Sequence, residues 1–385
     1  MDNFEFYNPV KIIFGRDSIE MVKDHIPANV KIMMTYGGGS ILKNGVYDRV
    51  MNALKGMDIV EFGGIESNPS HETCMKAVEL IRKENPGFIL AVGGGSVIDA
   101  TKYIVAAAFF EGDPWKILSD DAPVNKALPF GVILTLPATG TEMNANSVIS
   151  RKSTDEKLAF NSQKVMPQFS ILDPTSAASL PQKQVANGIV DSFVHVIEQY
   201  MTYPNNAPLQ DRFAESILKT LIEEGPKVYE NPADYHAMAN LMWCSTLALN
   251  GLISRGVPED WIIHMIGHEL TAFHGIDHAR TLAIVLPGVW SVFRAEKKEK
   301  LLQYAERIWD IRKGSDEEKI DEAIKLTVNF FESLGIQTKL VSYGVKENTI
   351  DKIIERFRNR GWTAIGDREM GTPEKVREIL KHRLG

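Results

Sequence analysis

A chain of 385 residues is longer than a single hydrophobic core normally supports, so two domains are expected. Its 44% hydrophobic and 24% charged residues are ordinary for a globular enzyme, and a net charge of −7 argues against a general nucleic-acid or anionic-membrane surface. The two cysteines, Cys74 and Cys244, lie far apart and outside any C-x-x-C pattern, which excludes a disulfide framework and a thiolate zinc site and fits a reducing cytoplasm. The first residues, M-D-N-F-E-F-Y-N-P, lack the basic and apolar regions of a signal peptide, and no apolar run reaches the ~18–20 residues of a membrane span. The expectation is a cytoplasmic protein with neither nucleic acid nor membrane as a partner.

The first half alternates short apolar runs with helical periodicity. Strands are expected at Val10–Phe14, Val30–Thr35, Asp58–Phe62, Phe88–Val92, Val132–Leu136, Ser147–Arg151 and Phe169–Leu172. Helices are expected at Val46–Leu54, at about His71–Lys83 and from Val97 to about Phe110. Such alternation predicts an α/β dinucleotide-binding domain of Rossmann-like type, with a mostly parallel sheet and helices on both faces. Past Leu180-Pro181 the pattern changes. Helical period governs about 183–201, 207–224, 233–253, 260–273, 278–293, 295–311, 316–334, 347–359 and 373–383. The expected division is an α/β domain over 1–182 and an all-α domain over 183–385 that carries metal and substrate.

Two glycine-rich turns leave strands of the first half. Gly93-Gly94-Gly95-Ser96 follows F-I-L-A-V and opens a helix, where close backbone approach and unpaired amides suit a pyrophosphate. Neither G-x-G-x-x-G nor a P-loop is present, so the phosphate reading rests on the strand-turn-helix setting. Gly37-Gly38-Gly39-Ser40 repeats the device after V-K-I-M-M-T. That turn carries no Asp or Glu to hold ribose hydroxyls and repel a 2′-phosphate, whereas Gly38, Ser40 and Lys43 would accept one. NADP(H) is therefore expected rather than NAD(H).

The helix at 183–201 has an apolar stripe of Ala186, Ile189, Val190, Phe193, Ile197 and Tyr200. Opposite it runs a polar stripe of Gln184, Gly188, Asp191, His195 and Glu198. Asp191 and His195 lie one turn apart and can meet one ion. Four of the nine histidines then fall within W-I-I-H-M-I-G-H-E-L-T-A-F-H-G-I-D-H, at His264, His268, His274 and His278. Pro258-Glu259-Asp260 supplies start signals for a helix, Gly275 a stop, and Asp277 a cap for the next helix. One helix histidine is usually a hydrogen-bonded core residue; four so close together favour a metal. A carboxylate with three imidazoles and no sulfur suits Fe²⁺, Zn²⁺, Co²⁺ or Ni²⁺. His268-Glu269 lacks the second histidine of a zincin, and His264-x-x-x-His268 lacks the glutamate.

Along nearly its whole length the chain resembles the iron-containing (group III) alcohol dehydrogenases, in particular their NADPH-dependent butanol dehydrogenase and aldehyde reductase branch. The likeness is carried by Y-G-G-G-S at 36–40, A-V-G-G-G-S-V-I-D-A-T-K at 91–102, L-T-L-P-A-T-G-T-E at 134–142, N-G-I-V-D-S-F-V-H-V-I-E-Q-Y at 187–200 and H-G-I-D-H-A-R-T-L-A-I-V-L-P at 274–287. The resemblance implies one divalent ion, Fe²⁺ or Zn²⁺, on Asp191, His195, His264 and His278, with His268 close to substrate without binding metal. It implies a pyrophosphate turn at Gly94, Gly95 and Ser96, with Asp99, Thr135, Thr139, Asn144 and Lys157 along the cofactor. Gly38, Gly39 and Ser40 match the NADP branch. A small alcohol or aldehyde substrate and a homodimer follow from the same likeness.

The expected reaction is hydride transfer between the nicotinamide and a primary alcohol or aldehyde whose oxygen a Lewis acid polarises. Two other readings remain at this point. One is a phosphosubstrate or non-redox enzyme on the same scaffold, like dehydroquinate synthases or glycerol-1-phosphate dehydrogenases, for which Arg255 and Arg280 would have to serve. The other is a non-catalytic sensor of metal or NADP.

Overall fold

The computed structural model describes residues 1–385. The chain forms two compact units. One comprises residues 7–181 and 231–246; the other comprises 1–6, 182–230 and 247–385. The chain thus crosses between them four times, and the crossing expected near residue 182 is one of these.

The α/β unit holds β1 (Lys11–Phe14), β2 (Ile32–Gly37), α1 (Val46–Ala53), β3 (Ile59–Ile65), α2 (His71–Glu84), β4 (Phe88–Gly94), α3 (Gly95–Ala107), α4 (Lys116–Ser119), β5 (Phe130–Leu136), β6 (Asn146–Arg151), β7 (Glu156–Asn161) and β8 (Phe169–Leu172). Six strands form one parallel sheet in the order β1-β8-β5-β4-β2-β3. Central strands are apolar on both faces because helices cover both faces of such a sheet; Ile32, Met34, Phe88, Leu90 and Val92 are buried on one face, and Met33, Ile89 and Ala91 on the other. Ser147–Arg151, expected as one more strand of the sheet, instead pairs antiparallel with β7 as a separate ribbon. The strand β7 was not foreseen: E-K-L-A-F-N has little β-branched content and follows a turn closed by Asp155 at φ 50°.

The helical unit holds α5 (Gln182–Tyr200), α6 (Pro208–Glu230), α8 (Ile262–His274), α9 (His278–Val292), α10 (Lys298–Trp309), α11 (Asp316–Ser333), α12 (Asn348–Asn359) and α13 (Pro373–His382). Between α6 and α8 lies α7 (Tyr235–Ala248), most of which belongs to the α/β unit. No helix is long and apolar enough to cross a membrane. Helix α5 is buried almost all round and packs against α6 and α9, so its polar stripe faces protein rather than solvent. Helix α6 continues through Pro226 to Glu230, beyond the expected end at 224. Gly225 lets α6 approach α5 there; a Cβ at that position would sit 3.1 Å from Ile189 Cγ2.

Lys102 is the least expected residue of the α/β unit's interior. It stands on α3 with no solvent exposure. Its Nζ donates to Thr141 Oγ1 at 2.7 Å, to the carbonyls of Asn144 and Asn146 at 2.8 Å each, and to Asn144 Oδ1 at 3.0 Å. Burial pushes its ammonium down to about 7, opposed by the carboxylates of Asp99 and Glu142. One lysine therefore fixes the whole 141–146 loop. Lys102→Met, which keeps the length and removes the donors, should lower stability by on the order of 3 kcal/mol because the acceptors stay buried. Thermal unfolding should show the midpoint falling by roughly 6–12 °C; an unchanged midpoint would mean that the loop is held by other contacts.

Candidate metal and cofactor sites

The metal candidates converge inside the helical unit from α5, α8 and α9. Asp191 and His195 are one turn apart on α5 and both buried, at 5% exposure each. Helix α8 delivers His264 and His268, and α9 begins at His278. Gly267, which the sequence reading did not single out, permits the close α8–α9 approach: a Cβ there would lie 2.8 Å from Thr281 Oγ1. Between the two helices Gly275 takes φ 65° and its amide closes on Thr271 O, as the predicted stop requires. The predicted caps differ. Trp261, at φ 66°, occupies the N-cap of α8, while the Asp260 carboxylate accepts from Lys297 Nζ at 2.7 Å and from the Asp367 amide at 2.9 Å. Asp277 stands before α9 without capping it, its carboxylate taken by Lys183 at 2.8 Å and Asn187 at 3.1 Å.

Asp191 Oδ1 lies 3.9 Å from His195 Nδ1 and 3.7 Å from His278 Nε2. Potential donor atoms of Asp191, His195 and His264 all fall within 4.8 Å of one another. The His195 and His264 rings stack at 4.7 Å, and His278 lies 5.2 Å from His264. His268 is 5.0 Å from His278 and 6.3 Å from His264, at the margin of the cluster. His274 points elsewhere, to Thr349 Oγ1 at 3.0 Å. Of the four clustered histidines, the fold therefore brings three to the Asp191 carboxylate's neighbourhood and sends one away.

These residues fit a divalent ion. Bonds of about 2.1 Å at tetrahedral angles need donors about 3.4 Å apart, close to the spacing observed. His195 Nδ1 is buried without a hydrogen-bond partner, which is costly unless something binds there. Burial, and then the adjacent His264, hold His195 well below the usual imidazole range, so it is neutral and able to ligate. Behind the cluster Glu198 accepts from the His264 amide at 2.9 Å and meets His264 Nδ1 at 3.0 Å. Burial pushes the Glu198 carboxyl up, with Asp260 adding to the effect and the amides of Ile263 and His264 opposing it.

The predicted cofactor residues gather at the carboxyl ends of the parallel strands. β4 runs directly into α3 at Gly94–Gly95, with no loop between them and no side chain capping the helix. The α3 amides and dipole therefore face outward at the strand end. A Cβ on Gly95 would lie 2.5 Å from Thr139 Oγ1, so glycine is needed where the two turns meet. Ser96 Oγ donates to Ser67 O. Asp99 accepts from Thr141 Oγ1 at 2.6 Å and from the Val148 amide at 3.0 Å. Asn144 bridges Lys102, the Asn146 amide and Gly140 O. Thr135 is buried at the end of β5, and Lys157, on β7, donates to Asn68 Oδ1 at 3.2 Å. The 37–40 turn was expected at a strand-to-helix junction. It leads instead into a 3₁₀ turn over Ser40–Leu42, and α1 begins only at Val46. Gly39 takes φ 93°, which directs the chain away from an α-helix, and Gly38, Ser40 and Lys43 are exposed.

The arginines needed by a phosphosubstrate enzyme are engaged. Arg255 Nε donates to Gly251 O at 2.6 Å, and Arg280 pairs with Asp277 at 3.6 Å. Glu269, which follows His268 without the second histidine of a zincin, is buried between Arg356 and Arg360 as a tie from α8 to α12.

A parallel α/β unit with a phosphate-type strand-to-helix turn, together with a helical unit carrying an Asp/His cluster, defines a class of metal-dependent dehydrogenases. The chain belongs to the iron-containing alcohol dehydrogenase family: residues 9–174 match that family and residues 185–384 match its C-terminal domain. It is 53% identical over 384 residues to the NADPH-dependent aldehyde reductase YqhD of Escherichia coli, covering 99% of each chain, and the crystal structure of YqhD superposes with a TM-score of 0.98 over 99% of each chain. It is 43% identical to NADP-dependent alcohol dehydrogenase 3 of Entamoeba histolytica, covering 93% of each chain. A solved NADH-dependent butanol dehydrogenase A of Thermotoga maritima is 37% identical, with a TM-score of 0.94 and coverage of 100% of this chain and 99% of that one. The resemblance read from the five motifs is therefore correct.

Proposed function

We propose that the protein is an NADP(H)-dependent, metal-dependent aldehyde reductase and alcohol dehydrogenase acting on small aldehydes and primary alcohols. The cluster of buried Asp191, His195 and His264 with half-buried His278 carries this reading, and the NADPH- and NADP-dependent relatives support the cofactor. Asp191, His195, His264 and His278 would hold one divalent ion, Fe²⁺ or Zn²⁺. Bound there, the ion supplies Lewis acidity toward the substrate oxygen while the nicotinamide supplies or accepts the hydride.

The chain's own contribution is positioning and proton handling. Gly94, Gly95 and Ser96 present the α3 amides to the pyrophosphate, and Thr139 packs beside Gly95 to shape that turn. Gly38, Gly39, Ser40 and Lys43 leave room and hydrogen-bond donors for a 2′-phosphate. Thr135 and Lys157 line the cofactor, while Asp99 and Asn144 hold the loop that borders it. His268, at the margin of the metal cluster, moves the proton to or from the substrate oxygen. A homodimer completes the proposal, as the resemblance implies, and the two buried cysteines, neither of them in a disulfide, support a reducing cytoplasm.

The direct test is NADPH oxidation with a panel of short and medium aldehydes, before and after chelation and then with Fe²⁺ or Zn²⁺ added back. Turnover that disappears on chelation and returns with metal is expected; turnover indifferent to chelation refutes metal dependence. Cofactor choice is best tested at Gly38, since a Cβ there meets nothing, whereas any side chain at Gly39 would be strained by its φ of 93°. Gly38→Asp should raise KM for NADPH much more than for NADH, and equal changes would show that the turn does not meet the 2′-phosphate. His268→Gln should leave metal content near that of the wild type and lower kcat by roughly ten- to a thousandfold. Loss of metal in that variant would make His268 a ligand instead.

A further inference from the structure

The sequence places Glu198 on the metal-facing stripe of α5 without giving it a task. We propose that Glu198 is a positioning residue for the metal, acting through His264; this rests on the reading that His264 is a ligand. Glu198 is 1% exposed and His264 6% exposed, so their contact lies out of water. One oxygen, Oε1, accepts the His264 backbone amide at 2.9 Å and meets His264 Nδ1 at 3.0 Å. The two bonds do different things.

The backbone bond solves a helix-end problem. Trp261 caps α8 in a left-handed conformation and has no side-chain cap bond, so the first-turn amides of α8 lack a local acceptor. His264 is the third residue of that helix. Glu198 reaches across from α5 and supplies the acceptor that a Ser or Asp at the N-cap would normally provide. This fixes the first turn of α8, and with it the Cα position of His264.

The ring bond chooses the tautomer. With Nδ1–H donated to the carboxyl group, His264 carries its lone pair at Nε2, and the ring cannot turn without breaking the bond. Histidine ligands are typically oriented and made more basic by a carboxylate at the other ring nitrogen. The surroundings leave Glu198 available for this. The nearby cation Lys297 is taken by Asp260 Oδ2 at 2.7 Å and Met201 O at 2.6 Å rather than by Glu198. An exclusively capping glutamate would need only the backbone bond.

Co²⁺ affinity of the full-length apoprotein, measured by chelator competition, separates the two roles. Glu198→Leu should weaken Co²⁺ binding about 30–100-fold, and Glu198→Gln, which restores an acceptor oxygen, only about 3–10-fold. The visible spectrum of the Co²⁺-loaded Leu variant should change, since one imidazole is no longer held. A folded Leu variant with wild-type affinity, or a Gln variant no better than Leu, overturns the proposal. If the Leu variant does not fold, the Gln variant decides alone, and wild-type affinity there overturns it. His264→Ala is measured in parallel. Wild-type Co²⁺ affinity in that variant would remove the ligand reading itself, whereas its loss alongside intact affinity in the Glu198 variants removes only the role of Glu198.

Discussion

Asp191 is a carboxylate buried among imidazoles, and the helical unit is arranged around that fact. Burying a carboxylate is costly unless its surroundings compensate it. The helices bring His195 to 3.9 Å and His278 to 3.7 Å of one Asp191 oxygen and stack His264 on His195. Such an arrangement concentrates acceptors and lone pairs at one point, and a divalent cation satisfies all of them together. Much of the nearby packing serves this cluster. Gly267 lets α9 approach α8, Gly225 lets α6 approach α5, and the Lys297–Asp260 pair ties the start of α8 to the segment before α10.

In the α/β unit the requirement is different: a phosphate at the 93–96 turn would meet amides rather than side chains. Its strand β4 passes into α3 without a loop, and the glycines at the junction allow two turns to touch. Side chains of this region turn inward. Asp99, Thr141 and Asn144 spend hydrogen bonds on one another and on Lys102, so the loop is stiff before any ligand arrives. Stiffness of this kind lowers the ordering cost of binding.

How much of this was legible in the sequence depended on whether a signal was local. The strand F-I-L-A-V, the 93–96 turn and the D-x-x-x-H spacing carry their meaning within a few residues, and the fold class followed from their order. The 37–40 turn shows the limit: the same four residue types precede a 3₁₀ turn, because Gly39 takes a positive φ that composition alone does not specify. Lys297 sits in the run E-K-K-E-K, which reads as a solvated surface, yet it is 2% exposed because its partner Asp260 is distant in sequence. Lys102 and Glu198 were hidden for the same reason. Asp260, read with Pro258 and Glu259 only as a start signal, is drawn into that ion pair, and Trp261 stands in the cap position. Residues that touch a ligand were easier to find than residues that hold others in place.

The central claim is that one ion is bound by Asp191, His195, His264 and His278. Anomalous scattering from a crystal of the metal-loaded protein, recorded on either side of the metal's absorption edge, tests it most directly. The account predicts a single strong peak at about 2.0–2.2 Å from a donor atom of each of these four residues. A peak bonded to His268 in place of any of them, or one lying away from α5, would contradict it.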